Sequence, residues 1–123
     1  MLGGQTGPVL KLCISYSWED EQVAREIASL CGELGVEYAL DGRNDWLMHG
    51  LHDGPEGSTH QLVVVSRANA RSWWLPFQLG RAADRGVETF AYLTEPDREP
   101  PAFLREKPLV RGLDSLKAML LAV

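Results

Sequence analysis

Trp74 and Gln78 lie four residues apart in the segment SWWLPFQLGRA, residues 72–82. Side chains at this spacing share one face of a helix, so the indole and the amide are expected to point the same way. An indole beside a single uncharged amide is an unusual pair. It raises the question of whether Gln78 is an ordinary surface residue or stands where chemistry would use a carboxylate.

The remaining tryptophans, Trp18, Trp46 and Trp73, also fall in or just after predicted loops. A single tryptophan in such a position usually covers the edge of the core. Several of them in loops that meet at one edge of a sheet favour a stacking site for a planar ligand. Whether the loops meet depends on the elements that hold them.

Hydrophobic periodicity divides the chain into alternating strands and helices. Short apolar runs predict strands, and apolar stripes with a 3.6-residue period predict helices. Strands are predicted at residues 9–16, 36–40, 61–66 and 87–93, with a short fifth strand near 108–111, and helices at 17–35, about 71–85 and about 113–121, whereas 45–58 predict a short helix or an irregular loop.

Local signals mark the ends of the first two elements. Ser17 and Asp20 resemble a capping box at the start of the first helix. Asp41 and Gly42 predict a turn after the second strand. Residues 41–46 are therefore expected to form a mobile loop over a site at the end of the sheet.

The alternation of strands and helices predicts an α/β fold, an open parallel sheet with helices on both faces. Ligands of such sheets bind at the carboxyl ends of the strands, where the strand order reverses. The loops at 15–20 and 41–45 and the segment from Ser66 onward are expected to meet there. Gln78 would lie about one turn into the helix that follows.

Composition narrows the class of protein. The 123 residues predict a single domain over 9–123 after a flexible N-terminus, residues 1–8. The net charge of −5 is spread without a basic stripe, and no apolar run reaches the roughly 20 residues of a membrane span. Neither nucleic acid nor a membrane is expected as a partner. Cys13 and Cys31 could pair on number alone, but two reduced, buried thiols in a cytoplasmic protein are predicted.

Several other chemistries lack their motifs. No glycine-rich phosphate loop follows a strand. A response-regulator receiver would carry an aspartate where Ser66 stands, and Ser66 lacks the G-x-S-x-G turn of a hydrolase. His49 and His52 could share a metal only with further ligands from a glycine-rich stretch, so no metal site is predicted.

Three stretches resemble TIR (Toll/interleukin-1 receptor) domains, in the family's order and spacing. KLCISYSWED resembles the first strand and its loop, with the pattern F-I-S-Y-S-x-x-D. LVVVS and SWWLPFQLGRA resemble the third strand and the next helix, with the S-x-W-x-x-x-E-L run of catalytic members. VEYALDGRND stands where the family has its second strand and BB loop. The resemblance covers roughly residues 10–95 and implies a flavodoxin-like sheet of about five strands.

The resemblance implies chemistry on NAD⁺. Catalytic TIR domains cleave the nicotinamide–ribose bond to give ADP-ribose-type products, with NAD⁺ as substrate and no cofactor. Their catalytic glutamate follows the motif tryptophan by four, so Trp74 matches the tryptophan and Gln78 stands in the catalytic position. The residues expected to contact the substrate are Tyr16, Ser17, Trp18, Asp41, Trp46, Ser66 and Trp74.

Gln78 departs from the catalytic pattern at its central residue. An amide keeps the shape of the carboxylate and one acceptor, but loses the charge that would stabilise positive charge on the ribose. Two explanations remain open. The chain is a TIR module without catalysis, or a glutamate was replaced by glutamine to trap a substrate or product.

The resemblance favours a bacterial, cytoplasmic NAD⁺-processing domain that self-associates through TIR–TIR contacts. A single short domain that starts at Met1 would suit a signal-producing protein of anti-phage defence, such as Thoeris. Two alternatives belong to other classes: an adaptor TIR that acts by assembly alone, and an enzyme similar to nucleoside deoxyribosyltransferases. Activity of a Gln78→Glu variant and a panel of nucleosides and dinucleotides distinguish the three.

Overall fold

Five strands alternate with three α-helices along the chain. The computed structural model describes residues 10–43, 58–67, 74–95, 99–104 and 106–122. The elements are β1 (Lys11–Ser17), α1 (Glu21–Leu34), β2 (Glu37–Arg43), β3 (His60–Val65), α2 (Trp74–Asp84), β4 (Glu88–Leu93), β5 (Leu109–Val110) and α3 (Leu113–Ala122), with 3₁₀ turns at Trp18–Asp20 and Ala102–Leu104.

The five strands form one parallel sheet in the order β2-β1-β3-β4-β5. This is the flavodoxin-like order, in which the chain reverses direction across the sheet between β1 and β3. The predicted α/β class is therefore confirmed. The reversal leaves the carboxyl ends of β1 and β3 side by side without a connection crossing over them, which opens the crevice that such folds use for ligands.

The helices cover both faces of the sheet. On the first face, which we call the α1 face, α1 and α3 pack on alternate residues of the strands; its buried members include Leu12, Ile14, Leu62, Val64, Phe90, Ile27 and Leu116. On the opposite face, the α2 face, the buried cluster comprises Val63, Val65, Ala91, Leu93, Leu79 and Leu104. Because strand side chains alternate between faces, the central strands β3 and β4 contribute buried residues to both cores.

The strand β3 is buried along almost its whole length, because it lies between β1 and β4 and is covered on both sides. Residues 61–65 are all buried, as the continuous apolar run of this segment predicts. Gln61 is the polar exception. Its side-chain amide donates to Ser15 Oγ at 3.0 Å, and its oxygen accepts from Thr89 Oγ1 at 3.5 Å, so three strands share a buried polar contact on the α2 face.

The helix α1 ends as predicted at Gly35, but it begins at Glu21, four residues later than predicted, after the 3₁₀ turn. Gly35 ends it in the left-handed region, at φ 71°, which an L side chain rarely adopts. The Val36 N–H then donates to the Cys31 carbonyl at 2.8 Å. Cys31 is buried in this helix and Cys13 in β1, and the two do not form a disulfide, as predicted. Burial raises the pKa of the Cys31 thiol to about 11.

Two local predictions were wrong. Asp41 and Gly42 do not form a turn, since β2 continues to Arg43 and pairs with β1 over seven positions. The first three residues of the predicted 41–46 loop therefore belong to the sheet, and residues 44–46 lie outside the described residues. The capping box is also absent, because neither Ser17 nor Asp20 makes a side-chain capping hydrogen bond.

Candidate functional site

Tyr16, Ser17 and Trp18 occupy the carboxyl end of β1, next to the point where the strand order reverses. Ser17 is buried, and Tyr16 is half-buried against the α1-face core. The Trp18 side chain is 54% exposed, which is unusual for an indole in a folded domain. Trp18 therefore offers an open aromatic surface at the edge where ligands bind in this fold.

Gly42 brings β2 close to these two aromatic side chains. A Cβ at Gly42 would lie 3.1 Å from Tyr16 Cζ and Oη and 3.1 Å from Trp18 Cδ1. Such distances are tighter than ordinary van der Waals contact, so a larger residue would need these aromatic side chains to shift by a few tenths of an ångström. The glycine that suggested a turn instead lets the tyrosine and the indole approach the backbone of β2 closely.

The Asp41 carboxylate lies one residue before this contact. Asp41 is 6% exposed and is paired in register with Ser15 of β1. The pKa of the Tyr16 phenol is raised, first by burial and then by the negative charge of Glu21, with Asp41 adding to it and Arg25 opposing it. Burial and the nearby carboxylates thus disfavour ionisation of the Tyr16 phenol.

A second contact crosses the switch point itself. Ser66, directly after β3, donates its hydroxyl to Asp20 Oδ2 at 2.5 Å. Burial raises the pKa of Asp20, the hydrogen bond from Ser66 opposes that rise, and the charge of Glu19 adds to it. This bond joins the loop after β1 to the end of β3, so it holds the segment that carries Trp18 against the centre of the sheet.

Ser66 also belongs to a small cleft between the ends of β3 and β4. Its apolar walls include Val65, Leu93 and residues 100–101, and Glu95 and Glu99 line it as well. Glu95 accepts a hydrogen bond from Arg67 at 3.2 Å, which partly neutralises the acidic rim. The cleft lies at the same carboxyl edge of the sheet, and the Asp20–Ser66 contact separates it from Trp18.

The predicted catalytic pair lies on α2. Trp74 is the first residue of the helix and Gln78 stands one turn into it, as the sequence predicts, while their side chains and all of Trp46 lie outside the described part of the structure. The helix packs on the α2 face through Leu79. Tyr16 packs on the α1 face, so the aromatic end of β1 and the helix with Gln78 approach the carboxyl edge from opposite faces.

Histidine and metal chemistry receive no support from the described ranges. His49 and His52 lie outside them. The third histidine, His60, begins β3 at the amino edge, where its Nδ1 lies 2.8 Å from Thr59 Oγ1 and its ring stacks on Phe90 with centroids 5.6 Å apart. Within the described residues no group of three or more metal-binding side chains converges.

Asp20 and Gly42 are the two site residues that sequence reasoning missed. Asp20 was interpreted as a helix cap and Gly42 as part of a turn, because local patterns suggest local roles. Their contacts join residues 46 positions apart in one case and neighbouring strands in the other. The position of Asp20 directly after β1, at the predicted switch point, was the available signal for its role.

The fold and this edge define an open parallel α/β domain with polar and aromatic side chains at the carboxyl ends of its strands. No protein-family model and no curated protein matches the chain. A solved structure that is similar to it is the sugar isomerase domain of the RpiR transcription factor from Sphaerobacter thermophilus, with a TM-score of 0.55 and 18% identity over 94% of this chain and 69% of that one. Similarity at this level of identity shows the shared fold alone.

Among the helices that the structure describes, none has the length and apolar character needed to cross a membrane.

Proposed function

We propose that this chain is a TIR-type NAD⁺-binding domain, built for cleavage of the nicotinamide–ribose bond and slowed by the amide of Gln78. The observation that carries the proposal is the carboxyl end of β1 and β2, where the exposed Trp18, the half-buried Tyr16 and the buried Asp41 lie close together beside the switch point. The sequence there, SYSW at the end of β1, belongs to one of the stretches that resemble the family.

This crevice has the chemistry that a dinucleotide needs. The exposed face of Trp18 can stack on a planar base, a contact that is largely independent of the base's identity. The Asp41 carboxylate is buried and adds negative charge close to Tyr16. The negative charges around Tyr16 also favour the cationic nicotinamide ring over neutral bases.

Bond cleavage itself demands little proton transfer. The C–N bond between nicotinamide and ribose breaks with its electron pair passing to the pyridinium nitrogen, so nicotinamide leaves as a neutral ring. The ribose carbon becomes oxocarbenium-like and is then attacked by water or a hydroxyl group, which loses a proton. A carboxylate beside the ribose stabilises that positive charge, whereas the amide of Gln78 supplies a dipole without net charge.

Reversion of Gln78 tests the proposal directly. Gln78→Glu should raise the rate of NAD⁺ cleavage by about a hundredfold or more, the scale on which one preorganised electrostatic contact acts. The gain should appear in kcat with KM little changed, because the charge develops mainly in the transition state. NAD⁺ loss and nicotinamide release are followed by chromatography.

Gln78→Ala is the matched control and should be no faster than the chain as it stands, since neither carries a negative charge at residue 78. Equal rates for the glutamine and glutamate forms, both folded and saturated with NAD⁺, would remove the enzymatic part of the proposal. If neither form binds NAD⁺ and both self-associate, an adaptor domain replaces it. Preference for a nucleoside over NAD⁺ in the same assay would instead indicate a deoxyribosyltransferase-like enzyme.

The same proposal gives the product a role as a signal. A domain that converts NAD⁺ to an ADP-ribose derivative would act upstream of a separate effector, and bacterial anti-phage defence is the setting that the family resemblance suggests. Mass spectrometry of small molecules released by the Gln78→Glu variant identifies that product.

A further inference from the structure

The outer strand β2 is long and, within the described residues, has no neighbouring strand on its outer side. It pairs with β1 along all seven of its residues and lies at the end of the strand order. Natural edge strands are commonly shortened, bulged, or carry proline or lysine to prevent pairing with another chain. The sequence of β2, EYALDGR, contains neither residue, and its register with β1 is continuous.

Large apolar side chains are exposed along this edge. Tyr38 is 40% exposed and Leu40 is 36% exposed. Both lie on the α1 face, because they pair in register with Leu12 and Ile14 of that face. Trp18, 54% exposed, lies beside Gly42 at the end of the same strand. Three of the six large apolar side chains that are exposed in the described residues therefore form one band.

The sequence of β2 is complementary to itself when a second copy runs antiparallel. With Leu40 opposite Leu40 of the second copy, Glu37 falls opposite Arg43 at both ends, which pairs opposite charges twice. Tyr38 falls opposite Gly42. Ala39 falls opposite Asp41, so the buried carboxylate meets only a methyl group across the junction.

We propose that β2 pairs antiparallel with β2 of a second copy, centred on Leu40, to form a continuous ten-stranded sheet. Pairing satisfies the outward backbone groups of both edge strands and covers Tyr38 and Leu40 of each copy. A second copy, rather than an unrelated peptide, is the occupant because the charge pattern of this strand matches its own reverse.

The pairing also brings one copy to the crevice of the other. Gly42 already lies against Trp18 and Tyr16 of its own chain. The second copy's Tyr38, opposite Gly42, would lie beside that Trp18 and extend the aromatic wall. The dimer itself does not depend on the proposed NAD⁺ function, and only this contribution to ligand binding rests on it.

Cysteine crosslinking tests the register. Residues directly opposite in antiparallel strands have Cα atoms about 4.5–5.5 Å apart, within the range of a disulfide. Leu40→Cys should therefore give a covalent dimer of twice 13.6 kDa on mild oxidation. Tyr38→Cys is the control. Position 38 of each copy lies opposite position 42 of the other, so the two introduced cysteines are four residues, about 13 Å, apart along the strand. The buried thiols Cys13 and Cys31 do not compete.

Charge reversal tests the same pairing without a crosslink. In sedimentation velocity, Glu37→Arg alone and Arg43→Glu alone should each weaken the wild-type dimer at least about tenfold, because like charges then meet at both ends. An equimolar mixture of the two variants should form heterodimers, since every pair is again complementary. Leu121→Lys, which changes another exposed leucine on α3, should leave the dimer unchanged.

A monomeric wild type at all attainable concentrations would overturn the proposal, as would dimers that tolerate both single reversals. Equal crosslinking of Leu40→Cys and Tyr38→Cys would contradict the register. Calorimetry with NAD⁺ is measured separately on the same samples. A dimer that binds no NAD⁺ contradicts the proposed function and leaves the pairing intact, whereas a monomer that binds NAD⁺ contradicts the pairing alone.

Discussion

At the scale of single residues, Asp20 is used for a tertiary contact instead of a local one. It stands at the N-cap of α1, where an aspartate commonly accepts from the first backbone N–H groups. Its carboxylate instead accepts from Ser66, and its backbone, at φ −103° and ψ 20°, departs from the extended conformation of a capping residue. The helix forgoes that stabilisation, and the loop with Trp18 is attached to β3.

The raised pKa of Asp20 predicts a pH-dependent effect of Asp20→Asn. A carboxyl group whose pKa is higher in the folded state than its ordinary 3.8 stabilises the fold when protonated, and this contribution is lost as pH rises through the folded pKa. Asn removes the titration, so the variant should gain Tm relative to wild type at pH 7, by no more than about 2 °C at this partly exposed site.

The gain should vanish at pH values below 3.8. Thermal melts of the two proteins from pH 3 to pH 8 measure it. Ser66→Ala is the control and should change Tm in the opposite sense at neutral pH, because it leaves the Asp20 charge without the hydroxyl that lowers its pKa. A constant difference between Asp20→Asn and wild type at every pH would contradict the assignment.

Trp18→Ala should separate binding from stability. The indole is 54% exposed, so its removal should lower Tm by only a few degrees. Loss of a stacking contact should weaken NAD⁺ binding by about fivefold to tenfold, which corresponds to roughly 1 kcal/mol. Isothermal titration calorimetry and thermal melts of the same sample check both values. A large loss of stability with unchanged affinity would assign Trp18 to the fold instead.

At the scale of elements, two glycines of α1 should respond in opposite ways to the same substitution. Gly32 lies inside the helix, is exposed, and a Cβ there would meet no atom within 4 Å. Gly32→Ala should raise the free energy of unfolding by about 0.5–1 kcal/mol through helix propensity. Gly35 ends the helix at φ 71°, so Gly35→Ala should lower it by about 1 kcal/mol.

Urea unfolding of both variants measures this difference, and each serves as the control for the other. Equal shifts of the same sign would mean that the end of α1 does not have the left-handed geometry described here.

At the scale of the whole molecule, the buried side-chain amide of Gln61 connects three neighbouring strands at the centre of the sheet. It hydrogen-bonds Ser15 of β1 and Thr89 of β4 from its position in β3. Gln61→Leu should lower the free energy of unfolding by about 1–3 kcal/mol, because two buried hydroxyls lose a partner. Gln61→Glu should cost more at pH 7 than at pH 4, since a buried carboxylate is ionised only at the higher pH.

Chemical denaturation at the two pH values tests both variants. A neutral or stabilising Gln61→Leu would show that water or neighbouring groups replace the amide, and the contact across three strands would then be incidental.

Much of the architecture follows from hydrophobic periodicity alone. The continuous apolar run of β3 is stable when both faces of the strand are covered. The amphipathic helix α1 is stable when its apolar side is covered. Alternation of such elements requires parallel strands with helical connections, so the sheet and its carboxyl-edge crevice could be predicted from the sequence. The positions of Tyr16, Ser17 and Trp18 at that edge follow from the end of β1.

Contacts between distant segments were decided only by the tertiary structure. Asp41 and Gly42 carry a strong local preference for a turn, yet pairing with β1 and packing of Tyr16 and Trp18 extend β2 through them. The local sequence around Asp20 likewise favours capping of α1, but in the folded chain its carboxylate accepts a hydrogen bond from Ser66 instead. Local patterns describe what a segment favours in isolation, whereas the strand order determines which segments become neighbours, and the choice between competing hydrogen bonds depends on those neighbours.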